Sequence, residues 1–307
     1  MSWITAAELV RSGRLRPAPL LAESLVKAAL TEDLGRGGDL TSDLIFAPEH
    51  QSSFILRARQ KGVLAGLAPA LTVWALLDET IELRLSVHDG ERIEAGTEVL
   101  EVRGATRALL TGERTALNFL GHLSGIATRT RKFVDLIEGT NARIVDTRKT
   151  LPGLRAFQKY AVTCGGGFNH RLGLDDGVLI KDNHIAACGS LTEAVRRART
   201  ALGHTVKVEV EVDTLVQFQE ALPLADIILL DNFTTADMVQ AVAFRQQHSG
   251  TKPLLEASGG VNETNVRPIA ETGIDVISIG ALTHSVTNFD FGLDASIPLR
   301  THSAVSV

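Results

Sequence analysis

The sequence is poor in cysteine, and this scarcity excludes two kinds of architecture. Only Cys164 and Cys188 occur among 307 residues, 24 positions apart and without a Cys-x-x-Cys or Cys/His spacing. A disulfide framework and a structural zinc site are therefore excluded, and a reducing compartment is expected. Cys164 precedes three glycines and His170, but the sequence offers no third group to orient a catalytic pair. We expect a packed thiol.

An excess of positive charge and a long apolar run are also missing. The 31 Lys and Arg residues stand against 36 Asp and Glu residues, a net charge of −5, so we expect neither nucleic acid nor an anionic membrane as a partner. The longest mainly apolar run, Ala65 to Leu77, contains Pro69, and the first 17 residues carry charges where a signal peptide requires an apolar stretch. These features predict a cytoplasmic protein without a membrane-spanning segment.

What is present is an ordinary globular composition whose pattern changes along the chain. With 44% hydrophobic and 22% charged residues, the chain should hold two domains, or one barrel with an appendage. Residues 1–16 show no clear pattern and are expected to be a loose leader. An N-terminal α+β sandwich-like domain is predicted over residues 17–120, joined by residues 286–307. Its predicted helices are Pro19–Leu34 and Ala68–Asp78, and its predicted strands are Phe54–Ala58, the alternating residues Ile81–Leu85, and Glu98–Val102.

Two helical stretches are predicted between Ala105 and Glu138, separated near Gly121 and Gly125. Arg114 falls between Leu110 and Leu117 on the apolar stripe of the first stretch, so we expect it to be buried. A buried guanidinium needs a partner, such as an acid of the same chain. The alternative is that Arg114 lies at the edge of the stripe and extends into solvent.

Beyond residue 142, short β-rich runs alternate with helical runs, which is typical of βα units. Six or seven strands are too few for an eight-stranded barrel. The predicted fold class is therefore α/β, with an incomplete parallel α/β barrel as the catalytic domain over residues 121–285. The predicted strands are Arg143–Asp146, Gly177–Lys181, Val206–Val212, Ile227–Asp231, Pro253–Ser258 and Ile274–Ile279.

Polar residues follow these strands, at the edge where βα barrels carry their active sites. In Val206–Val212, the residues Lys207, Glu209 and Glu211 share the face opposite the valines, so we expect them to point into the barrel. A solvated strand face is the alternative. Glu211 and Asp231 together suit Mg²⁺ or the hydroxyls of a sugar.

Basic side chains are concentrated between residues 142 and 184, where seven Arg or Lys residues stand against four Asp residues. Arg148, Lys149 and Lys181 lie at strand ends, where their charges can converge on a ligand. This arrangement predicts a small substrate that carries carboxylates or phosphates. A charged surface face is the alternative.

The last two predicted strands are each followed by glycine, at Ser258-Gly259-Gly260 and at Gly280, with His284 close behind. In such barrels these two loops, with helix N-termini behind them, usually bind phosphate. Plain turns are the alternative reading of the same glycines.

Six segments carry a resemblance to a known family: GERTALNFLGHLSGIAT (112–128), DTRKTLPGLRAFQKYAVTCGGGFNHRLGLDDGVLIKDNH (146–184), EVEVD (209–213), LLDNF (229–233), EASGG (256–260) and IGALTHS (279–285). Together they resemble the nicotinate-nucleotide pyrophosphorylase family, also called quinolinate phosphoribosyltransferase, from about Ala22 to Asp294. The resemblance implies a sandwich domain followed by an incomplete α/β barrel. It also implies transfer of phosphoribose from phosphoribosyl pyrophosphate to quinolinate, giving nicotinate mononucleotide, pyrophosphate and CO₂ in NAD synthesis.

The resemblance implies a role for each motif residue. The carboxylates of quinolinate would be held by Arg114, Arg148, His170, Arg171 and Lys181. The catalytic residues, acting on phosphoribosyl pyrophosphate, would be Lys149, Glu211 and Asp231. Glu211 and Asp231 would also bind the implied cofactor Mg²⁺, directly or through water. The phosphate would be bound by Lys149, Ser258, Gly259, Gly260, Gly280 and His284. A homodimer or a larger oligomer is implied, in which Arg114 completes the active site of the neighbouring subunit.

Two rival functions stay open at this point. A relative of the same fold could transfer phosphoribose to another acid or serve molybdenum transport, and Arg148, His170, Arg171 and Lys181 count against it. A sensor could bind a nucleotide or phosphate without turnover. Such a sensor would have no reason to keep both Glu211 and Asp231, and a turnover assay separates it from an enzyme.

Overall fold

The structure is a computed structural model that describes residues 3–17 and 19–296. In chain order, its strands are β1 (Ile4–Thr5), β2 (Gln51–Ala58), β3 (Gly62–Val63), β4 (Glu82–Leu85), β5 (Arg92–Ile93), β6 (Glu98–Ala105), β7 (Arg143–Val145), β8 (Val178–Ile180), β9 (Val208–Val212), β10 (Ile227–Asp231), β11 (Leu254–Ser258), β12 (Val276–Ser278) and β13 (Phe291–Ala295). Its helices are α1 (Ala6–Arg11), α2 (Pro19–Leu34), α3 (Leu40–Ile45), α4 (Leu67–Leu77), α5 (Thr106–Leu136), α6 (Arg155–Cys164), α7 (Asp182–Cys188), α8 (Leu191–Ala201), α9 (Leu215–Ala221), α10 (Thr235–Gln247), α11 (Val266–Glu271) and α12 (Ala281–His284).

The described residues form two compact units. The first contains the residues up to Thr128, the segment Ala156–Cys164 and the residues from Val286 onward. The second contains Arg129–Arg155 and Gly165–Ser285.

The first unit is built on a five-stranded antiparallel sheet with the order β1-β4-β6-β2-β13. β13 pairs with β2 over five residues, which ties the C-terminal segment to this unit. Trp74 of α4 and the strand residues Leu56, Leu83 and Leu100 are fully buried. The helices predicted over residues 19–34 and 68–78 are confirmed as α2 and α4, and the three predicted strands are confirmed as β2, β4 and β6.

The expectation of a loose leader over residues 1–16 is wrong for the part that the structure describes. Ile4 and Thr5 form β1 and pair with β4, and α1 follows at once. Thr5 caps this helix: its Oγ1 accepts a hydrogen bond from the N–H of Glu8 at 3.1 Å, and the N–H of Thr5 donates to Glu8 Oε2 at 3.1 Å. Elements this short show no hydrophobic periodicity. The sequence indicates the helix through the capping box of Thr5 and Glu8.

The prediction of two helices between Ala105 and Glu138 is also wrong, because α5 is one continuous helix of 31 residues. A Cβ at Gly121 would lie 2.9 Å from the carbonyl oxygen of Phe289, and one at Gly125 would overlap the carbonyl oxygen of Thr287. The N–H of Phe289 donates to the carbonyl of Gly121 at 2.8 Å. The two glycines therefore admit a neighbouring backbone to the helix surface instead of ending the helix.

The second unit is built on a six-stranded sheet with the order β7-β12-β11-β10-β9-β8, and every pair in it is parallel. All six predicted strands are confirmed, some shortened by one or two residues at an end. β7 and β8 are the edge strands, so the barrel is incomplete; a single parallel bridge, Val145↔Phe168, adds to the edge at β7. The predicted α/β fold class with an incomplete barrel is confirmed. None of the helices described here has both the length and the apolar character that a bilayer-spanning helix needs.

Candidate active site

A cavity of about 610 Å³ lies at the carboxyl ends of the parallel strands of the second unit. Of the residues predicted for the site, all but Arg114 line it: Arg148, Lys149, His170, Arg171, Lys181, Glu211, Asp231, Ser258, Gly259, Gly260, Gly280 and His284. The cationic, acidic and glycine-rich segments are far apart in the sequence. They meet because the carboxyl ends of parallel strands share one edge of a sheet.

Strand register explains how the two carboxylates come to the same cavity. Asp231 of β10 pairs with Ser258 of β11, and Leu229 pairs with Glu211 of β9. Because successive side chains of a strand point to opposite faces, these four residues share the face that lines the cavity. Lys207, which was expected on the same face, precedes β9 and has a side chain that is 74% exposed; it lines a second, smaller cavity together with Glu209 and not this one.

Two guanidinium groups, of Arg148 and Arg171, line the cavity together. Arg171 Nη1 donates to the carbonyl oxygen of Gly177 at 2.8 Å. Burial, and next the positive charge of Arg148, lower the pKa of Arg171. The buried Nε of Arg148 has no hydrogen-bond partner in the described chain. Two neighbouring cations and an unsatisfied donor favour an anionic ligand, since an unpaired buried polar group carries a desolvation cost.

An ion pair joins Lys181 to Glu211, between Nζ and Oε2. The family resemblance implies different ligands for these two residues, a carboxylate of quinolinate for Lys181 and phosphoribosyl pyrophosphate with Mg²⁺ for Glu211. Here each satisfies part of the other's charge. The pair therefore lowers the electrostatic cost of placing both charges at one cavity.

A buried cluster of His170, Glu209 and Glu256 is a feature that sequence reasoning missed. His170 Nε2 lies 3.1 Å from Glu209 Oε2 and 3.6 Å from Glu256 Oε1, and the two carboxylate side chains are at most 5% exposed. The N–H of Arg171 donates to His170 Nδ1 at 2.7 Å, so Nε2 is the ring nitrogen that faces the carboxylates. Burial, and then the charge of Glu209, raise the pKa of Glu256. Strand alternation predicts that Glu209 points into the barrel, but Glu256 lies in the middle of its strand, away from the strand end that indicates a site residue.

Glycine makes two close approaches possible at the predicted phosphate loops. Gly259 has φ +92° and Gly260 has φ +60°, a backbone region that other residues rarely adopt. A Cβ at Gly280 would lie 2.8 Å from Lys149 Cδ and 3.3 Å from His284 Nε2. The absence of a side chain at position 280 therefore allows Lys149 and His284 to approach the same loop.

Arg114 lies in α5 of the first unit and is exposed, so the expectation that it is buried is wrong for this chain. The buried stripe of α5 follows Leu109, Gly112, Ala116 and Leu120, at intervals of three and four residues. Arg114 is two positions past Gly112, about 200° around the helix, and therefore lies on the side away from this stripe. Its assignment to a neighbouring subunit's site stays a prediction.

This fold and cavity define a barrel enzyme for small anionic substrates that carry phosphate. Two family models match the chain: "Quinolinate phosphoribosyl transferase, N-terminal domain" over residues 39–124 and "Quinolinate phosphoribosyl transferase, C-terminal domain" over residues 126–294. The chain therefore belongs to the quinolinate phosphoribosyltransferase family, as the sequence segments predict.

Individual relatives match this chain along most of their length. The nicotinate-nucleotide pyrophosphorylase [carboxylating] of Mycobacterium leprae is 47% identical over 279 residues, which cover 89% of this chain and 96% of that protein. Quinolinate phosphoribosyltransferase [decarboxylating] 1b of Nicotiana tabacum is 35% identical over 304 residues, covering 93% of this chain and 84% of that protein. The solved structure of the nicotinate-nucleotide pyrophosphorylase from Francisella tularensis aligns with a TM-score of 0.86 and 38% identity, over 92% of this chain and 98% of that one.

Proposed function

We propose that this chain transfers the phosphoribosyl group of phosphoribosyl pyrophosphate to the ring nitrogen of quinolinate. Loss of CO₂ from the adjacent carboxylate then gives nicotinate mononucleotide in the synthesis of NAD. The observation that supports this function most strongly is that three kinds of group line one cavity: guanidinium groups, a pair of carboxylates and a glycine-rich loop. The family to which the chain belongs supports the same reaction.

The quinolinate carboxylates are bound at the cationic side of the cavity. Arg148 supplies a buried Nε without a partner in the described chain, and Arg171 and Lys181 supply further positive charge. Guanidinium forks match carboxylates with two parallel N–H donors, which fixes both position and orientation. His170 contributes through the ring that Glu209 and Glu256 hold in place.

Phosphoribosyl pyrophosphate binds in the same cavity, with its 5′-phosphate in the loops that contain Gly259, Gly260 and Gly280. Ser258 and His284 offer hydrogen-bond donors there, and Lys149 adds a positive charge beside Gly280. Backbone N–H groups in such glycine-rich turns can surround a phosphate closely.

Glu211 and Asp231 fit a Mg²⁺ ion, because both offer carboxylate oxygens at the cavity and Mg²⁺ prefers one or two carboxylates together with substrate phosphates. Asp231 Oδ2 accepts a hydrogen bond from Asn232 Nδ2 at 2.8 Å, which leaves Oδ1 for a ligand. These two residues would hold the ion, directly or through water. When bound, Mg²⁺ would neutralise negative charge that develops on the leaving pyrophosphate.

The residues of the chain then act mainly through electrostatics and orientation. The quinolinate nitrogen forms a bond to C1 of the ribose as the bond from C1 to pyrophosphate breaks, and positive charge develops on the sugar. Glu211 and Asp231 stabilise that charge. The ring nitrogen becomes cationic, CO₂ leaves from C2, and C2 takes up a proton. Fixing quinolinate by its carboxylates keeps its nitrogen aligned with C1.

The oligomer and the location are part of the proposal. We expect a homodimer or a larger assembly with shared active sites, in which the exposed Arg114 reaches the cavity of a neighbouring subunit. The cytoplasmic location expected from the sequence agrees with a pathway whose substrates are small phosphorylated metabolites.

Incubation of the purified protein with quinolinate, phosphoribosyl pyrophosphate and Mg²⁺ tests the function. Nicotinate mononucleotide, pyrophosphate and CO₂ should form in equal amounts, and an Asp231→Asn variant should lose most of this turnover. Binding of phosphoribosyl pyrophosphate without any product would instead favour the sensor. Product formed with another acid but not with quinolinate would favour a different phosphoribosyltransferase.

A further inference from the structure

Asn232 stands out because of its backbone conformation. It follows β10 directly, and it is the one residue other than glycine, within residues 3–17 and 19–296, that has a positive φ, at +55°. A left-handed conformation is unfavourable for a residue with a side chain, and asparagine tolerates it better than most. The surrounding contacts must therefore favour this conformation.

Those contacts link two parts of the candidate site. The side-chain Nδ2 of Asn232 donates to Asp231 Oδ2 at 2.8 Å, and the backbone N–H of Asn232 donates to the carbonyl oxygen of Ser258 at 2.9 Å. A Cβ at Gly259 would overlap Asn232 Oδ1, so the asparagine side chain packs directly on the phosphate loop. Asn232 thus contacts the carboxylate on one side and the loop on the other.

We propose that Asn232 is a positioning residue for phosphoribosyl pyrophosphate. Its amide holds one oxygen of Asp231 and so fixes the carboxylate with the other oxygen available to the ligand. Its backbone N–H and side-chain oxygen contact Ser258 and Gly259 and so hold this loop next to Asp231. The inference rests on the proposed function, because phosphoribosyl pyrophosphate is the ligand that spans these two groups.

The chemistry of the position explains why asparagine is suited to it. Glycine would adopt the same backbone without strain but would leave Asp231 without its donor. Aspartate would keep the shape of the side chain, but it would replace the donor with a second negative charge beside Asp231. In both cases the carboxylate loses its fixed orientation, while the quinolinate residues Arg148 and Arg171 are unchanged.

The test compares Asn232→Gly and Asn232→Asp with the wild-type protein, and it uses Asn141→Gly as a matched control. Asn141 is exposed and does not line the cavity. Binding of phosphoribosyl pyrophosphate is measured by isothermal titration calorimetry, with and without Mg²⁺. The KM of each substrate, kcat and Tm are measured in parallel.

In both Asn232 variants, Kd and KM for phosphoribosyl pyrophosphate should rise about tenfold, the loss expected for one hydrogen bond to a charged group. The KM of quinolinate should stay within about twofold, and the control should match wild type, since Asn141 does not line the cavity. The aspartate variant keeps the side-chain shape and so remains informative if the glycine variant folds poorly. Unchanged binding of phosphoribosyl pyrophosphate in a folded Asn232 variant, or an equal rise in both KM values, would overturn the inference. If the wild-type protein itself neither binds phosphoribosyl pyrophosphate nor forms product, the proposed function fails instead.

Discussion

The guanidinium of Arg148 is partly buried beside the cationic Arg171, and no acid of the described chain forms an ion pair with it. Its Nε donor is buried and has no hydrogen-bond partner there. Such a group is costly in the free protein and becomes favourable when an anion binds. The individual residue therefore already indicates an anionic ligand.

Replacement of Arg148 by lysine should not be tolerated, although the charge is kept. An ammonium group cannot reproduce two parallel N–H bonds to a carboxylate. In Arg148→Lys, the KM of quinolinate should rise by about tenfold or more, while the KM of phosphoribosyl pyrophosphate changes little. Steady-state kinetics with each substrate varied in turn measures both constants. The opposite pattern, in which only the KM of phosphoribosyl pyrophosphate rises, would show that Arg148 binds phosphoribosyl pyrophosphate and not quinolinate.

The same cations should make the enzyme specific for a dicarboxylate. Nicotinate lacks the carboxylate next to the ring nitrogen, so part of the positive charge of Arg148, Arg171 and Lys181 would stay unpaired. A site built to pair a polar group rejects the analogue without it by a large factor, on the order of 10⁴. We expect kcat/KM for nicotinate to be lower than for quinolinate by at least about 10³, in assays with both acids. Similar values for the two acids would contradict the substrate assignment.

Among the elements, α5 shows how glycine serves packing inside a long helix. Gly125 faces the carbonyl oxygen of Thr287 so closely that a Cβ would overlap it. In a helix exposed to solvent, Gly→Ala stabilises by about 1 kcal/mol, because alanine has the higher helix propensity. At Gly125 we expect the opposite effect, in which the substitution by alanine destabilises the protein.

Gly125→Ala should lower the stability of the protein by about 1–2 kcal/mol. The clash is with a backbone carbonyl, which places the overpacking cost at about 2–3 kcal/mol, and the gain of about 1 kcal/mol in helix propensity offsets part of it. Urea unfolding measures this difference. Gly203→Ala is the control, because nothing lies within 4 Å of a Cβ at that position, and it should leave stability nearly unchanged. A Gly125→Ala variant as stable as wild type would mean that the 286–290 segment can move away at no cost.

Asp89 connects α4 to α6 within the first unit. Its Oδ1 accepts a hydrogen bond from the N–H of Leu67 at 3.3 Å, and its Oδ2 accepts one from the hydroxyl of Tyr160 at 3.1 Å. Burial raises the pKa of Asp89 to about 6, and burial likewise raises the pKa of the nearby Cys164 thiol to about 12. The thiol is therefore neutral at physiological pH, which agrees with a packed cysteine and not with a nucleophile.

The raised pKa of Asp89 gives a pH dependence of stability with a definite sign. An unfolded aspartate titrates near pH 4, so between about pH 4 and pH 6 the folded protein binds more protons than the unfolded one. The contribution of this group to stability therefore falls as pH rises through that window. Asparagine does not titrate, so Asp89→Asn does not lose stability in this pH window. The difference in Tm, variant minus wild type, should therefore be larger at pH 7.5 than at pH 4.5.

Differential scanning calorimetry at the two pH values tests this expectation. Glu49→Gln, at an exposed carboxylate of the same unit, is the control and should show no such increase. A relative Tm of Asp89→Asn that is the same at both pH values would show that the folded protein accommodates the ionised Asp89 without cost.

At the scale of the whole molecule, the position of Arg114 bears on the assembly. It belongs to the first unit and does not line the cavity of the second unit, yet the family resemblance assigns it to quinolinate. An assembly in which Arg114 reaches a neighbouring subunit would reconcile its exposure with that role.

Subunit mixing tests the shared site. Arg114→Ala and Lys181→Ala should each be inactive, but a heterodimer would contain one intact site, with Arg114 from one chain and Lys181 from the other. Activity should therefore return in the mixture, to as much as about one quarter of wild type for random exchange of dimer subunits. Mass-tagged subunits first confirm that exchange has occurred. A mixture that exchanges and stays inactive would show that Arg114 does not serve a neighbouring site.

The sequence by itself determined the barrel and most of the residues around its cavity. The six strands could be predicted because β-rich runs alternate with helical runs, and Lys181, Asp231 and Ser258 could be selected because they stand at strand ends. These are local signals, and the geometry of parallel strands converts them into proximity. The family resemblance added the roles, which the residue types alone left open.

Only the tertiary structure decided the features that depend on contacts between residues far apart in the sequence. Gly121 and Gly125 indicate a helix break when the helix is considered alone, and the backbone of residues 286–290 makes them packing positions instead. His170, Glu209 and Glu256 form one cluster because side chains from three separate segments meet in the barrel interior, and no local pattern encodes that meeting. The physical reason is the same in each case: periodicity reports which face of an element is apolar, whereas packing determines which atoms meet it.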